Sequence, residues 1–340
     1  MNVESDFPDD AKVGNEQRRL VSIVVPVYNE ETNVHIAYDA LCEVFKSEKR
    51  YDIEFIFTDN HSEDSTFVRL AEIAALDPRV KVLRFNRNYG FQRSLMTGYR
   101  LARGDAVIQI DCDLQDPPNL ILQFLDLWER GHDVVVGIRH HRQENYFLTL
   151  CRRVFYAFIN HISDDKITRD AGDFRLIDRV VLDRVTALND INPYIRGLSS
   201  AFATNEAGIP YKRDKRKYGR SKFPLHNLIR HASDGIFSMT LFPLRLAGRI
   251  SLIISVMTVC LALYYLVAAL LFGRDWPGGF ATLVLLLLFG ISLNGAFMAI
   301  IGKYLGNIVL QQQNRPLVIV ECSINVPNSS ANDVEKNKNV

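Results

Sequence analysis

The chain has 340 residues, 48% of them hydrophobic and 23% charged, with a net charge of +1. That length admits about two domains of ordinary globular composition, and the near-zero charge argues against a general nucleic-acid binder. Five cysteines (Cys42, Cys112, Cys151, Cys260, Cys322) have no CxxC spacing, which indicates a reducing compartment and no structural zinc.

In chain order, residues 1–19 are polar and read as a disordered tail, with no charged-then-apolar leader and hence no expected signal peptide. Five runs rich in β-branched and aromatic residues follow, at 20–25, 53–58, 80–85, 106–110 and 133–137, separated by helix-length stretches. Continuous apolar strands alternating with helices predict an α/β, Rossmann-like domain over 20–223, with a mostly parallel sheet covered on both faces. The first turn, Pro26-Val27-Tyr28-Asn29-Glu30-Glu31, lacks the GxGxxG of dinucleotide folds, so NAD and FAD lose their best support. Asp59 ends the second run and opens Asp59-Asn60-His61-Ser62-Glu63-Asp64-Ser65-Thr66, whose acceptors either meet a ribose or base or cap the next helix.

Asp111-Cys112-Asp113-Leu114-Gln115-Asp116-Pro117-Pro118 follows straight after the fourth run. It collects three carboxylates and an amide at the C-terminal end of a strand, where open α/β sheets hold ligands. Such oxygen ligands suit hard cations, Mg²⁺ or Mn²⁺, which in turn hold diphosphates. The alternative is an Asp-Pro turn capping the helix that starts near Asn119.

Beyond the fifth run, Phe147, Leu150, Val154, Phe158 and Ile162 share one face of a helix over 146–162, for which core packing is the first use and contact with a lipid chain the second. Residues 174–177 read as an edge strand. His140 and His141 diverge and have no third ligand nearby, so they read as surface residues. Lys212, Arg213, Lys215, Arg216, Lys217, Arg220 and Lys222 crowd against a single Asp214. That run either attracts anionic lipid or acts as a lid over phosphates, with Gly219 as hinge. Residues 224–249 mix apolar side chains with Arg230, His231 and Arg245, as interfacial amphipathic helices do.

Residues 250–272 and 280–301 carry no charge, and at ~1.5 Å per residue each crosses the ~30 Å hydrocarbon core of a bilayer. Only 273–279 separates them, so a two-helix transmembrane hairpin is expected within 250–310. Arg245, Arg249, Lys303 and Arg315 flank its outer ends, which places the large domain and both termini in the cytoplasm. Gly302-x-x-x-Gly306 is weak support for a homo-oligomer, and 311–340 reads as a cytoplasmic tail, frayed and polar from 325 onward.

The 26–31 turn, the 59–64 segment and the 111–118 segment, in this order and followed by two spans, resemble family 2 glycosyltransferases of the GT-A fold. Within that family the similarity is to the polyprenyl-phosphate branch, of bactoprenol glucosyltransferase and dolichyl-phosphate mannose synthase type, over about residues 21–321. The resemblance implies that Asp111, Asp113 and Gln115 hold Mg²⁺ or Mn²⁺ and the donor's diphosphate. It implies that Pro26, Tyr28, Glu30 and Asp59, with Asp111, bind the nucleotide sugar, and that Asp173 and Arg139 are catalytic. Arg139, Arg142, Tyr218, Arg220, Ser221 and Lys222 match its acceptor- and diphosphate-binding loops. Many relatives read Asp-Asp-Gly-Ser where this chain has Asp59-Asn60-His61-Ser62, and the missing second acid leaves the choice between uridine and guanosine open.

The expected activity is inverting, metal-dependent transfer of a hexose to polyprenyl (undecaprenyl) phosphate at the cytoplasmic face of a bacterial inner membrane. Glucose from UDP-glucose is the first choice, with aminoarabinose, mannose and N-acetylhexosamine as alternatives. Inversion follows from a single displacement by a phosphate nucleophile. A phosphate monoester, with its second pKa near ~6, is already largely dianionic at neutral pH, so Asp173 is expected to orient the acceptor at least as much as to take a proton. A salt bridge to Arg175 or Arg179 is the other use of that carboxylate. A processive polysaccharide synthase would need more spans and a Gln-x-x-Arg-Trp motif, and neither Trp128 nor Trp276 sits in one. A sugar nucleotidyltransferase would need an N-terminal glycine-rich phosphate loop. A membrane scaffold or flippase helper has no use for the carboxylates and the basic loop.

Overall fold

Val, Ile and Phe at consecutive positions make strands that tolerate no water on either face, and four of them form the centre of the molecule. These are β1 (Arg19–Val27), β2 (Tyr51–Asp59), β3 (Val80–Phe85) and β4 (Ala106–Gln109), parallel to one another in the order β4-β1-β2-β3. Alternate residues serve opposite layers, as the two-residue period of a strand requires. Val21, Ile23 and Val25 pack against α1 (Val34–Lys46), α2 (Thr66–Leu76) and α4 (Leu120–Glu129), while Val24 and Ile56 pack against α3 (Phe91–Leu101). The computed structural model describes residues 18–46, 48–140, 171–188, 190–191, 193–213, 242–272, 280–313 and 315–327.

The sheet is widened by β5 (Val134–His140), β6 (Ala171–Asp178) and β7 (Glu206–Lys212) on one side and β8 (Val320–Ile324) on the other. Its order is β7-β5-β6-β4-β1-β2-β3-β8, with β6 and β8 running against the rest. The mostly parallel α/β sheet expected from sequence is therefore present. The edge strand expected at 174–177 is not at an edge: β6 lies between β4 and β5 and is antiparallel to both. Its Phe174, Leu176 and Ile177 are buried, and an edge position would have left one side of this apolar run in water. Helices α5 (Arg179–Thr186) and α6 (Ile195–Phe202) follow it, with Asp178 capping α5 through a hydrogen bond from Val180 N at 2.8 Å.

Two long helices complete the described chain, α7 (Phe242–Phe272, 31 residues) and α8 (Phe280–Gln312, 33 residues). Both overrun the expected bounds. α7 passes through 242–249 without a break, so that stretch is continuous with the first uncharged run; Pro243 sits in the first turn, where its missing N–H costs nothing. α8 continues past Ile301 until the Pro316 region. Side chains such as Leu252, Met257, Leu271, Ile291 and Met298 are largely exposed along them. The segment Phe289–Gln312 is long and apolar enough to cross a membrane, with a mean hydropathy of 1.3 and none of it buried. Gly302 and Gly306 face open space rather than the neighbouring helix.

The C-terminal segment expected as a tail is in part structural. Leu317 and Val318 are buried with Leu83, Phe85 and Leu95, and β8 pairs antiparallel with β3. Asn325 Nδ2 donates to Ala74 O at 2.7 Å and Val80 O at 2.9 Å, which fastens the end of β8 to α2 and β3. Its Val-Glu-Cys-Ser-Ile alternation is too short to stand out in sequence. The 1–17 tail, the 146–162 helix, residues 214–241 with most of the basic run, and 328–340 lie outside the described residues.

Leu317→Ala is expected to destabilise the domain by about 2–4 kcal/mol, as cavity-forming Leu→Ala changes do, whereas Leu305→Ala on the exposed face of α8 should cost well under half of that in detergent. Thermal or denaturant unfolding of the two variants checks this.

Candidate active site

Three turns at the C-terminal ends of β1, β2 and β4 each contain a non-glycine residue in the left-handed region: Asn29 (φ 54°), His61 (φ 62°) and Leu114 (φ 51°). Such conformations cost about 1–2 kcal/mol each for an L-residue and gather where function over-determines the backbone. Leu114 is the least expected of them, and its side chain packs on the core beneath.

The first two turns are laced to one another. Asn29 N donates to Ser62 Oγ at 2.9 Å and Glu63 N donates back to Asn29 Oδ1 at 2.8 Å. Glu30 N donates to Thr66 Oγ1 at 2.8 Å, and Ser65 N to the Glu31 carboxylate at 3.2 Å. Asn60 adds the loop after β3, giving Nδ2–H to Asn88 Oδ1 and accepting from Tyr89 N. Of the four residues expected to line this wall, Tyr28 is exposed, Pro26 and Glu30 are half-buried, and Glu30 accepts from Asn33 Nδ2 at 2.5 Å. Asp59 differs from them. It is fully buried, with Oδ1 accepting from Ser62 N and Ser62 Oγ and Oδ2 facing Arg84 Nη1 at 3.5 Å. Burial pushes its carboxyl up against the opposing pull of those bonds. It thus ties the turn down from behind.

The acidic turn lies beside the inserted strand. β6 pairs Arg175 with Gln109 at the end of β4, and Asp173, two residues before Arg175, lies near enough to Asp111 to act on its charge. Burial and the nearby carboxylates of Asp173, Asp116 and Asp113 push Asp111 up to about 7. Asp173 goes the other way: burial raises it, but the Arg196 charge and hydrogen bonds, with Arg175 and Arg139 nearby, hold it below the usual carboxylate range. Arg196 Nε donates to Asp173 Oδ1 at 2.5 Å and Nη2 to Oδ2, a bidentate pair. The ion pair weighed for Asp173 from sequence therefore forms, though with neither Arg175 nor Arg179. Arg179 pairs with Asp183, and fully buried Arg175 donates to Gly172 O and Ser199 Oγ.

Asp116, the third carboxylate of the acidic turn, is a hub. It is fully buried, accepts from Tyr211 O–H at 2.5 Å, and has Arg139 Nη2 at 3.5 Å and Arg213 Nε at 3.2 Å. Arg139 Nε–H donates to the Tyr211 oxygen at 3.4 Å, so Asp116 and Tyr211 together aim this arginine. Gly172 makes room for it, since a Cβ there would stand 3.0 Å from Arg139 Nε. Pro117 and Pro118 keep the helix-starting role, with Asn119 as N-cap of α4. Gln115 N closes the turn on Asp113 Oδ1 at 3.1 Å.

The site so described contains Asp111, Asp113, Gln115, Asp173 and Arg139 from the sequence expectations. Arg142, Tyr218, Arg220, Ser221 and Lys222 lie outside the described residues. Tyr211, Arg196 and Arg213 were not named for it. Arg213 carried a signal, as a member of the basic run; Arg196 carried none beyond a charge in an apolar helix. A divalent cation fits the donor set, which is hard oxygen throughout and crowded enough that one carboxylate resists ionisation. Among the described residues no three His, Cys, Asp or Glu side chains form a ready-made metal cage.

Comparison with known proteins gives the chain its relatives. A family model described as glycosyl transferase family 2 matches residues 22–186. An uncharacterized glycosyltransferase, YkcC, of Bacillus subtilis is 36% identical over 308 residues, 90% of this chain and 95% of its own length. A prophage-derived bactoprenol glucosyl transferase of Shigella flexneri is 35% identical over 89% of this chain and 98% of its own. A prophage bactoprenol glucosyl transferase homolog of Escherichia coli K12 is 33% identical over 88% and 98%.

The raised Asp111 pKa has a thermodynamic consequence in the metal-free protein. Between about pH 4, where an unfolded aspartate ionises, and about 7, the folded chain holds a proton that the unfolded chain has released, so this group's contribution to stability falls as pH rises through that window. Asp111→Asn, which mimics the neutral acid, is expected to raise the unfolding midpoint by about 2–5 °C at pH 8 and to leave it nearly unchanged at pH 4. Scanning calorimetry in chelator at the two pH values reads the difference.

Proposed function

The chain belongs to glycosyl transferase family 2, and from that premise we propose that it transfers one hexose, with inversion, from a nucleotide sugar to a polyprenyl phosphate at a membrane surface. The observation that carries the reading is the meeting of Asp111, Asp113 and Asp173 with Arg139 at the C-terminal ends of the strands, in a chain that also carries two long helices with exposed apolar side chains. The relatives named bactoprenol glucosyl transferases support glucose as the sugar and a polyprenol as the lipid. UDP-glucose is accordingly the proposed donor.

Asp111, Asp113 and Gln115 would hold Mg²⁺ or Mn²⁺. When bound, such an ion neutralises charge that develops on the departing diphosphate. The protein groups do the rest. Arg139, aimed by Asp116 and Tyr211, offers a guanidinium fork to the same phosphates. The laced turns after β1 and β2, with Pro26, Tyr28 and Glu30, form the wall for the nucleoside, and Asp59 keeps that wall rigid from behind. A phosphate oxygen of the acceptor attacks the anomeric carbon as its bond to the diphosphate breaks. The acceptor is already dianionic, so no proton has to move. Asp173, ionised and clasped by Arg196, is a weak base in that setting, which favours orientation of the acceptor over proton abstraction.

We further propose that α7 and α8 each cross the membrane. Strand β8 follows them and pairs with β3, so the chain before α7 and after α8 lies on one side, as an even number of crossings requires. The positive residues Arg245, Arg249, Lys303 and Arg315 at the outer ends favour the cytoplasmic side.

Membranes carrying the protein, incubated with undecaprenyl phosphate and a panel of nucleotide sugars, are expected to yield a hexosyl-phosphate lipid from UDP-glucose by mass spectrometry. Chelation should abolish the product and Mn²⁺ or Mg²⁺ restore it. Asp113→Asn retaining full activity at saturating metal would remove the metal assignment. Asp173→Asn should lower turnover about 10²-fold or more while donor affinity stays within about threefold; an unchanged rate would leave Asp173 a structural partner of Arg196.

A further inference from the structure

Arg213, one residue past β7, points its charge at the acidic turn. Nη2 lies 3.7 Å from Asp111 Oδ2 and Nε 3.2 Å from Asp116 Oδ1. Its footing differs from that of the other two arginines. Arg196 is bidentate on Asp173, and Arg139 is nearly buried and hydrogen-bonded to Tyr211. Arg213 is 30% exposed, and its Nε makes no hydrogen bond among the described residues despite the short approach to Asp116. It is held by charge rather than by aligned hydrogen bonds, and such a contact is easily exchanged.

One of the oxygens it faces belongs to Asp111, which the proposed function assigns to the metal. We infer that Arg213 is the resident counter-cation of the acidic turn, bound there in the absence of ligands and displaced from Asp111 when a divalent ion and a nucleoside diphosphate enter. The inference rests on the metal reading above. A divalent ion arriving alone must compete with a tethered positive charge for Asp111 Oδ2. A diphosphate changes the balance, because it offers the guanidinium a bidentate partner of higher charge than the carboxylate it leaves. Arg213 therefore makes metal and nucleotide binding more strongly coupled than their direct contact alone would, and it disfavours idle occupation by metal without donor.

The test is Mn²⁺ binding to the purified full-length protein in detergent, read from the electron paramagnetic resonance of free Mn²⁺, with and without UDP and with GDP as a second nucleotide. Arg213→Gln is expected to bind Mn²⁺ alone about fivefold tighter than wild type, and the factor by which UDP tightens Mn²⁺ binding should shrink by about as much. Arg213→Lys, which keeps the charge, should stay near wild type, and Arg213→Ala should repeat the Gln result on a second neutral side chain. Unchanged or weaker Mn²⁺ affinity in both neutral variants overturns the inference and leaves the metal site standing. A wild-type protein that binds Mn²⁺ neither alone nor with either nucleotide removes the metal reading itself, and this inference with it.

Discussion

Asp111, Asp113, Asp116 and Asp173 gather at one end of the central strands, from the turn after β4 and from β6, and carboxylates crowded there repel one another unless cations stand among them. Much of the surrounding architecture answers that constraint. β6 enters between β4 and β5 with Arg175 buried behind Asp173, α6 brings Arg196 to clasp Asp173 from the side, and β5 and β7 deliver Arg139 and Arg213 around Asp116. The outcome is unequal. Asp173 is compensated and stays ionised, whereas Asp111 is left with too little positive charge and resists it. A site with one satisfied carboxylate and one underserved one is already divided into a fixed part and a receptive part.

The turns after β1 and β2 follow a different principle, since reciprocal hydrogen bonds between them hold them in place. Asn29 and His61 accept left-handed backbone there, and the lacing offsets that cost. His61 also sets its ring against Phe85 O and near Glu321, while Arg84 is shared between Asp59 and Glu321. These two turns are therefore braced from the C-terminal strand as well as from the core.

The parallel strands, the acidic turn and the long apolar runs were legible because each is a local pattern: a β-branched run, a cluster of one chemistry, a stretch without charge. What escaped depends on contacts between distant parts of the chain. Nothing in residues 171–178 says that they insert between two strands made earlier, and only that insertion brings Asp173 near Asp111. Asp116 looked like part of an Asp-Pro turn because its partners Tyr211, Arg139 and Arg213 come from later strands or the segment after them. Asp59 was read as facing ligand because it ends a parallel strand, but Ser62, three residues on, and Arg84 take up its oxygens. β8 was missed for its length, with five residues lying beyond two long helices.

That last strand has a consequence for how the molecule is made. Translation proceeds from the N-terminus, so β3 emerges long before its neighbour β8, and α7 and α8 must both be synthesised in the interval. Until then the sheet has an open edge at β3, with unpaired backbone N–H and C=O groups and an apolar face at Phe85 and Leu83 waiting for Leu317 and Val318. The domain closes its sheet only after both long helices have been made, so the last pairing of the fold waits for them. A ribosome that stops within α8 leaves behind a domain whose His61 and Arg84 lack Glu321 and whose sticky edge is exposed to its neighbours.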